Sequence, residues 1–276
     1  GANSNYGTAW VGAVSGGVIT FGNTGKVFSA GAVAQSTCIY DSINKKVVIA
    51  YECKVNSRQG MAVVGTITAG DISFGVPTLF SKAATFTSYI SGAFDPASGS
   101  VVISSVNGSE GGRTTLGTVS GDSISFTARY QFFSAPNFTA TSYDAQANRI
   151  VIAYKDNSGA STKGYAVVGE VDTNTSGDKT LRFGPATELG FDSKEIKSSY
   201  DPSSNRHIII GANANNSDFG TVVLGEVMED SIAFSTPVVF VSSRLAYPAL
   251  CYDLVADKTI VTFSNADNGY SGDVLA

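Results

Sequence analysis

Short apolar runs of strand length, separated by turns rich in glycine and small polar residues, follow one another along the whole chain. One stretch shows the pattern. Ala62-Val-Val-Gly-Thr-Ile67 reads as a strand and is closed by the turn Thr68-Ala-Gly-Asp71. Ile72-Ser-Phe74 opens a second strand that runs on toward Leu79-Phe80 past Pro77. A proline there marks an outer or edge strand, because it has no N–H to give to a ladder. Thr87 to Phe94 is a third strand and Val101-Val-Ile-Ser104 a fourth, joined by Asp95-Pro-Ala-Ser-Gly99, whose residue types favour a tight turn.

This unit recurs five times. An aromatic–Asp pair returns as Tyr40-Asp41, Phe94-Asp95, Tyr143-Asp144, Tyr200-Asp201 and Tyr252-Asp253, at steps of 54, 49, 57 and 52 residues. A glycine ending an apolar strand returns as Gly12, Gly65, Gly117, Gly169 and Gly225. After the next turn comes a phenylalanine: Phe21, Phe74, Phe126, Phe183 and Phe234. A further apolar anchor follows at Phe28, Phe80, Phe133, Leu189 and Phe240. Four anchors in one order, five times over, predict a repeat protein. The repeats run over about 7–59, 60–111, 112–163, 164–218 and 219–268 of a single domain 1–276. Only the fourth gap from glycine to phenylalanine is longer, and its excess lies in the polar stretch Val171–Asp178, a surface turn.

The third strand of each unit carries small residues ahead of its aromatic: Thr37 and Cys38, Ser91 and Gly92, Ala140 and Thr141, Ala249. Small side chains let strands crowd around an axis, which places this strand innermost in a radial array. The expected fold is all-β, a five-bladed β-propeller of four-stranded blades. The stretch 269–276 is read as a strand that closes the ring with the N-terminal one, six blades being the alternative.

Composition agrees and narrows the partners. Charged residues are 15% of the chain, below the roughly 25% of ordinary domains, and glycine alone fills 30 positions. A pI near 4.9 with no cluster of Lys or Arg argues against nucleic acid, whose phosphates need a basic surface. No apolar run approaches the ~20 residues of a membrane-spanning helix, so no membrane insertion is expected. The chain opens with Gly and shows no secretory signal, which reads as a piece processed or excised from something longer. Cys38, Cys53 and Cys251 cannot all pair and match no zinc spacing, so they read as buried free thiols. The loops Asn213–Asp218 and Asn265–Asn268 lack the spacing of a calcium loop. Neither metal nor cofactor is expected.

Candidate chemistry is sparse. The repeated aspartates each begin a turn, of the form Asp-x-x-x-(Asn/Gly/Asp) except in Asp41-Ser-Ile-Asn-Lys45, and the carboxylate fixes the hairpin by accepting turn amides. Five residues before each repeated aromatic stand Gln35, Tyr89, Phe138, Glu195 and Tyr247. Three of these are aromatic and lie near the mouth where inner strands begin, so they are the candidate ligand-binding residues, set against inter-blade packing. Trp10 takes the place of Val63 and Val167 and reads as core. His207, the only histidine, precedes Ile208-Ile209-Ile210 and reads as structural, so a triad is open only if this residue serves by itself. Glycosidase chemistry needs convergent carboxylates. Only Glu195 and Asp192 precede an inner strand at the right depth, and no arginine cluster is visible. No catalytic residue is assigned, and an enzyme is not expected.

The segments NSNYGTAWVGAVSGGVITFG, GMAVVGTITAGDISFGVPTLF and YDAQANRIVIAYKDNSG resemble the repeats of about 50 residues in virion-type proteins of marine bacteriophages and marine microbes, over nearly the whole chain. The resemblance implies a propeller module in a virion or extracellular setting and supplies no catalytic residues. The expected function is a non-catalytic structural and recognition module of a phage particle, such as a tail fibre. Its partners would be other virion proteins or a host-surface glycan, and a homo-oligomer is open. A carbohydrate-binding lectin propeller is the alternative, and a glycoside hydrolase the second.

Overall fold

The computed structural model describes residues 5–22, 24–55, 57–159 and 163–275. Its elements are strands apart from two single-turn 3₁₀ helices, Gly108–Glu110 and Ala266–Asn268. The chain divides into two compact units, Gly1–Arg129 and Tyr130–Ala276, the division falling inside the strand Ser123–Phe133.

Each repeat is an antiparallel meander. In the first unit Lys26–Asp41 pairs with Lys46–Cys53, which pairs with Gln59–Thr68. That strand carries Asp71–Phe74 on its outer side and, past the break at Pro77, Thr78–Leu79. The next sheet runs Thr87–Asp95, Ser100–Asn107, Gly112–Ser120, Ser123–Phe133. In the second unit the order repeats as Pro136–Asp144, Arg149–Asp156, Lys163–Thr173, Lys179–Phe183 and again as Thr187–Asp201, Arg206–Asn213, Phe219–Met228, Ser231–Phe234. Val238–Asp253, Lys258–Asn265 and Ser271–Leu275 follow.

The strands that end on the aromatic–Asp pair lie side by side within each unit. Lys26–Asp41 flanks Thr87–Asp95, and Thr187–Asp201 lies between Pro136–Asp144 and Val238–Asp253. Their small residues make this approach feasible: a Cβ on Gly92 would stand 2.4 Å from Ile39 Cδ1 of the neighbouring strand. Between them the core closes over Ile39, Val48, Val64, Val101, Ile103 and Ile124 in the first unit. Val151, Val168, Leu189, Ile196, Ile209 and Val223 do the same in the second.

The repeated glycine and phenylalanine are one contact seen twice. Gly65 is in register with Phe74, and a Cβ on it would stand 3.0 Å from that ring and 2.8 Å from Ile72 Cδ1. Gly117 meets Ile124 and Phe126 in the same way, Gly169 meets Leu181 and Phe183, and Gly225 meets Ile232 and Phe234. The fourth anchor has a glycine of its own that sequence reading passed over. Gly7, Gly60, Gly164 and Gly220 lie under Phe28, Phe80, Leu189 and Phe240.

Two expectations change at the level of the fold, those for Trp10 and for the cysteines. Ser271–Leu275 pairs with Lys258–Asn265 in the register that Gln59–Thr68 takes on Lys46–Cys53, as the third strand of its repeat. Ala276 lies outside the described residues. Trp10 is not core but 53% exposed. It borders the hairpin Gly12–Ser15/Val18–Phe21, whose strands pair only with each other, and Ile19 there is 57% exposed while its equivalents Ile72, Ile124, Leu181 and Ile232 are 2–6% exposed. Of the three free cysteines only Cys53 is buried; Cys38 and Cys251 are exposed, because they stand on inner strands at positions facing away from the sheet core.

Candidate functional site

The turn aspartates hold the ends of the inner strands. Asp41 Oδ1 accepts the amides of Ile43 and Asn44 at 3.0 and 2.9 Å. Asp95, Asp144, Asp201 and Asp253 each accept the equivalent pair. The last residue of each turn, Lys45, Gly99, Asn148, Asn205 or Asp257, has a left-handed φ between 53° and 63°. The same residue receives the neighbouring phenol in three repeats: Tyr143 OH donates to Asn148 Oδ1 at 2.8 Å and Tyr200 OH to Asn205 Oδ1 at 2.7 Å, and Tyr252 OH donates to Asp257 Oδ1.

In the second unit these three turns border a groove of about 580 Å³. Its walls are three consecutive residues from each of three inner strands: Thr141, Ser142 and Tyr143; Ser198, Ser199 and Tyr200; Leu250, Cys251 and Tyr252. Four of the six positions ahead of the tyrosines carry small hydroxyls, Thr141, Ser142, Ser198 and Ser199, and the tyrosines stand next to the turns. The phenols are pinned by the bonds just described, so the ring faces are held in place. Pro202 and Leu254 extend the apolar rim.

Beneath the groove sits the one histidine. His207 is fully buried, in register with Tyr200, their rings 5.2 Å apart. Its Nδ1 lies 2.9 Å from Ser142 Oγ, and Ser142 Oγ lies 2.7 Å from Ser198 Oγ. Its Nε2 faces Asp144 Oδ2 at 3.4 Å without a formed hydrogen bond. Burial pushes the Asp144 carboxyl up, but His207 and the amides of Ala147 and Gln146 outweigh it and hold the group below the ordinary carboxylate range. Burial, with the Asp144 charge nearby, pushes the Tyr200 phenol up. The expectation of a structural histidine therefore has a partner set attached to it that no spacing in the sequence discloses, because Ser142 and Asp144 stand on one strand and His207 on a strand of the adjacent repeat.

The five residues singled out from the sequence share a conformation. Gln35, Tyr89, Phe138, Glu195 and Tyr247 all have φ between 39° and 53° and all sit where the inner strand slips register against its partner. Each is a β-bulge, a device that bends a strand and re-aims a side chain. Gln35 Oε1 accepts the Tyr89 amide in the first unit. In the second, Phe138 packs against the core, Glu195 is half-buried and Tyr247 is 75% exposed. The groove lies at the opposite, turn-bearing end of the same strands. The signal that could have found it is the aromatic–Asp pair itself, whose tyrosine serves the rim while its aspartate serves the turn.

Sequence distance also hid an arginine pair. Arg149 and Arg182 meet at Glu170, at 2.8 and 3.2 Å, and Arg182 also binds Asp172 at 2.7 Å. Among the described residues no group of three or more His, Cys, Asp and Glu could hold a metal ion, and no helix is long and apolar enough to cross a membrane.

No family model matches the chain, and no curated protein does. Solved structures do. The chain is similar in fold to the Hadza microbial sialidase Hz136, with a TM-score of 0.53 and 8% identity over 85% of this chain and 53% of that one. A mutant of Trypanosoma rangeli sialidase displaying trans-sialidase activity aligns with a TM-score of 0.48 and 13% identity, over 88% of this chain and 45% of the other. The chain thus spans about half the length of the first structure it matches. This likeness corrects two expectations. The reading as a non-catalytic structural module of a phage particle gives way, because the fold is one that a glycoside hydrolase uses. The exclusion of an enzyme falls with it. That exclusion rested on the lack of convergent groups in sequence, and the meetings of Ser142 with His207 and of Arg149 with Arg182 show that convergence here is made by the fold. The chain is an all-β protein of several antiparallel sheets, similar in fold to a sialidase β-propeller.

Proposed function

We propose that this chain is a carbohydrate-active β-propeller that seats a glycan in the groove bordered by Tyr143, Tyr200 and Tyr252. The observation that carries the reading is the groove itself: three fixed phenol rings at the rim and a floor of serine and threonine hydroxyls. Pyranose rings present an apolar C–H face and a girdle of hydroxyls. Rigid aromatic faces with neighbouring small hydroxyls complement both at low entropic cost. The five repeats are taken as five blades of one ring, supported by the five-fold recurrence of the anchors, and the partner as an extracellular, cell-surface glycan. Tyr247, exposed at the other end of its strand, is a second place for a sugar to stack.

A second reading, turnover of the bound glycan, is favoured by the likeness in fold to a sialidase. One experiment addresses both. The chain is applied to a glycan array, affinities of the bound sugars are measured by calorimetry, and bound sugars are then incubated with the protein and analysed for released monosaccharide. Tyr200→Ala and Tyr252→Ala are expected to weaken binding by about 10-fold each while leaving the circular dichroism unchanged. Absence of any sugar binding, or binding indifferent to both variants, overturns the proposal. Released monosaccharide establishes turnover.

A further inference from the structure

One contact breaks the five-fold repeat. The place of His207 is held by Val47, Val101, Ile150 and Thr259 in the other repeats, and that of Ser142 by Ile39, Ala93, Ser199 and Cys251. Ser198 stands where Cys38, Gly92, Thr141 and Leu250 stand elsewhere. The series of two hydroxyls, an imidazole and a carboxylate is therefore built at a single seam, between the inner strands Pro136–Asp144 and Thr187–Asp201.

The seam is expensive as mere packing. An aliphatic residue fills the same place in three other repeats, whereas a buried ring nitrogen without a full hydrogen bond is destabilising. Nε2 of His207 is such a nitrogen. It has only the Asp144 carboxylate before it, and Asp144 keeps Oδ2 on that side while Oδ1 takes the turn amides. With its hydrogen on Nε2, toward that carboxylate, the ring offers the Nδ1 lone pair to the Ser142 hydroxyl. Ser142 is placed to give its proton to Nδ1, since its hydroxyl sits 2.9 Å away, and both Ser142 and Ser198 line the groove.

We propose that Ser142 is a nucleophile toward carboxylic esters, with His207 as its general base and Asp144 as the carboxylate that stabilises the imidazolium. Ser142 Oγ attacks the ester carbonyl as its proton passes to His207 Nδ1. The C–O bond to the alcohol breaks, and His207 returns the proton to the leaving alkoxide. Water then attacks the acyl-serine, gives its proton to His207, and the carboxylic acid leaves as Ser142 recovers its hydrogen. No cofactor or outside electron is needed. The Ser198 hydroxyl, 2.7 Å from Ser142 Oγ, is assigned as the donor to the developing oxyanion. The inference does not depend on glycan binding, because a small acyl ester needs only the floor of the groove.

The test uses the whole chain with two probes, a fluorophosphonate that labels activated serines and p-nitrophenyl acetate. Phosphonylation is expected on the peptide carrying Ser142, located by mass spectrometry. Ester turnover is expected to fall about 100-fold or more in Ser142→Ala and in His207→Gln. His207→Gln alters a fully buried site, so Ser142→Ala, a small change, is the deciding variant, with circular dichroism as its fold control. Ser198→Ala is expected to keep the label and slow turnover. No label on Ser142, or turnover unchanged in folded Ser142→Ala, overturns the proposal whatever the glycan array shows.

Discussion

The Oδ1 atom of the turn aspartate accepts two backbone amides in all five repeats, and the left-handed residue two places beyond the first of those amides sends the chain back along the next strand. Glycine, asparagine and aspartate tolerate that conformation, and four repeats use one of them. Lys45, at φ 55°, is the exception. Lys45→Gly is expected to raise stability by about 0.5–1 kcal/mol, measured as a shift in urea midpoint with an unchanged slope. A loss of stability would show that the lysine side chain contributes more than its backbone strain costs. Another residue-scale device lies in the first unit. Glu52 is fully buried and ion-paired to Arg58, which also lies 4.0 Å over the Phe86 ring. Removing the cation leaves a buried carboxylate unpaired, so Arg58→Ala is expected to cost roughly 2–3 kcal/mol, less than the ~3–5 of a fully enclosed pair because Arg58 is half-exposed. Glu52→Gln in the Arg58→Ala background should recover part of the loss. The bulge residues were legible as a spacing, but their shared positive φ was not: Gln, Tyr, Phe and Glu carry no local preference for it, and only the register of the neighbouring strand imposes it.

Two glycines per repeat let the outer strand fold its phenylalanine onto the sheet. The strand pairing puts the ring over the glycine, so any Cβ there must displace packed carbon atoms. Gly117→Ala, whose Cβ would stand 2.7 Å from Ile124 Cδ1 and 2.8 Å from Phe126 Cε1, is expected to lower stability by about 1–3 kcal/mol. Gly272→Ala, with nothing within 4 Å, should change it by less than about 0.5 kcal/mol in the same thermal or urea titration. Equal effects at the two sites would mean that the loss comes from something other than the ring contact. Both anchors were plain in the sequence as a recurring interval. Their being a single contact was not, because the interval spans a turn whose length differs in the copy with Val171–Asp178.

Three of the turn aspartates, Asp144, Asp201 and Asp253, are held below the ordinary carboxylate range, and this shapes the response to acid. The amides of Ala256 and Val255 hold the Asp253 carboxyl below the ordinary range. For Asp201 burial acts upward, but Ser204 and the turn amides outweigh it, as His207 and the amides do for Asp144. A carboxyl with a lower value in the folded than in the unfolded chain stabilises the fold fully above its unfolded value, near 3.9, and loses that contribution as pH falls through the folded value. Urea midpoints are therefore expected to hold from pH 7 to about pH 5 and to fall steeply below pH 4. The combined variant Asp201→Asn/Asp253→Asn should show a shallower fall. A parallel fall in the variant would place the acid sensitivity in other carboxylates.

By itself the sequence determined the strand content, the five-fold unit, the order of strands in a repeat and the role of the turn aspartates. These follow from residue types at fixed short spacing, where turn chemistry and small-residue crowding act locally. Tertiary structure alone decided the rest: that Trp10 is exposed, that Arg149 meets Arg182, that three tyrosines border one groove, and that Ser142, His207 and Asp144 share a seam. Each of these depends on which strands of different repeats lie side by side. That is settled by the summed packing of many apolar contacts and leaves no mark at any one spacing along the chain.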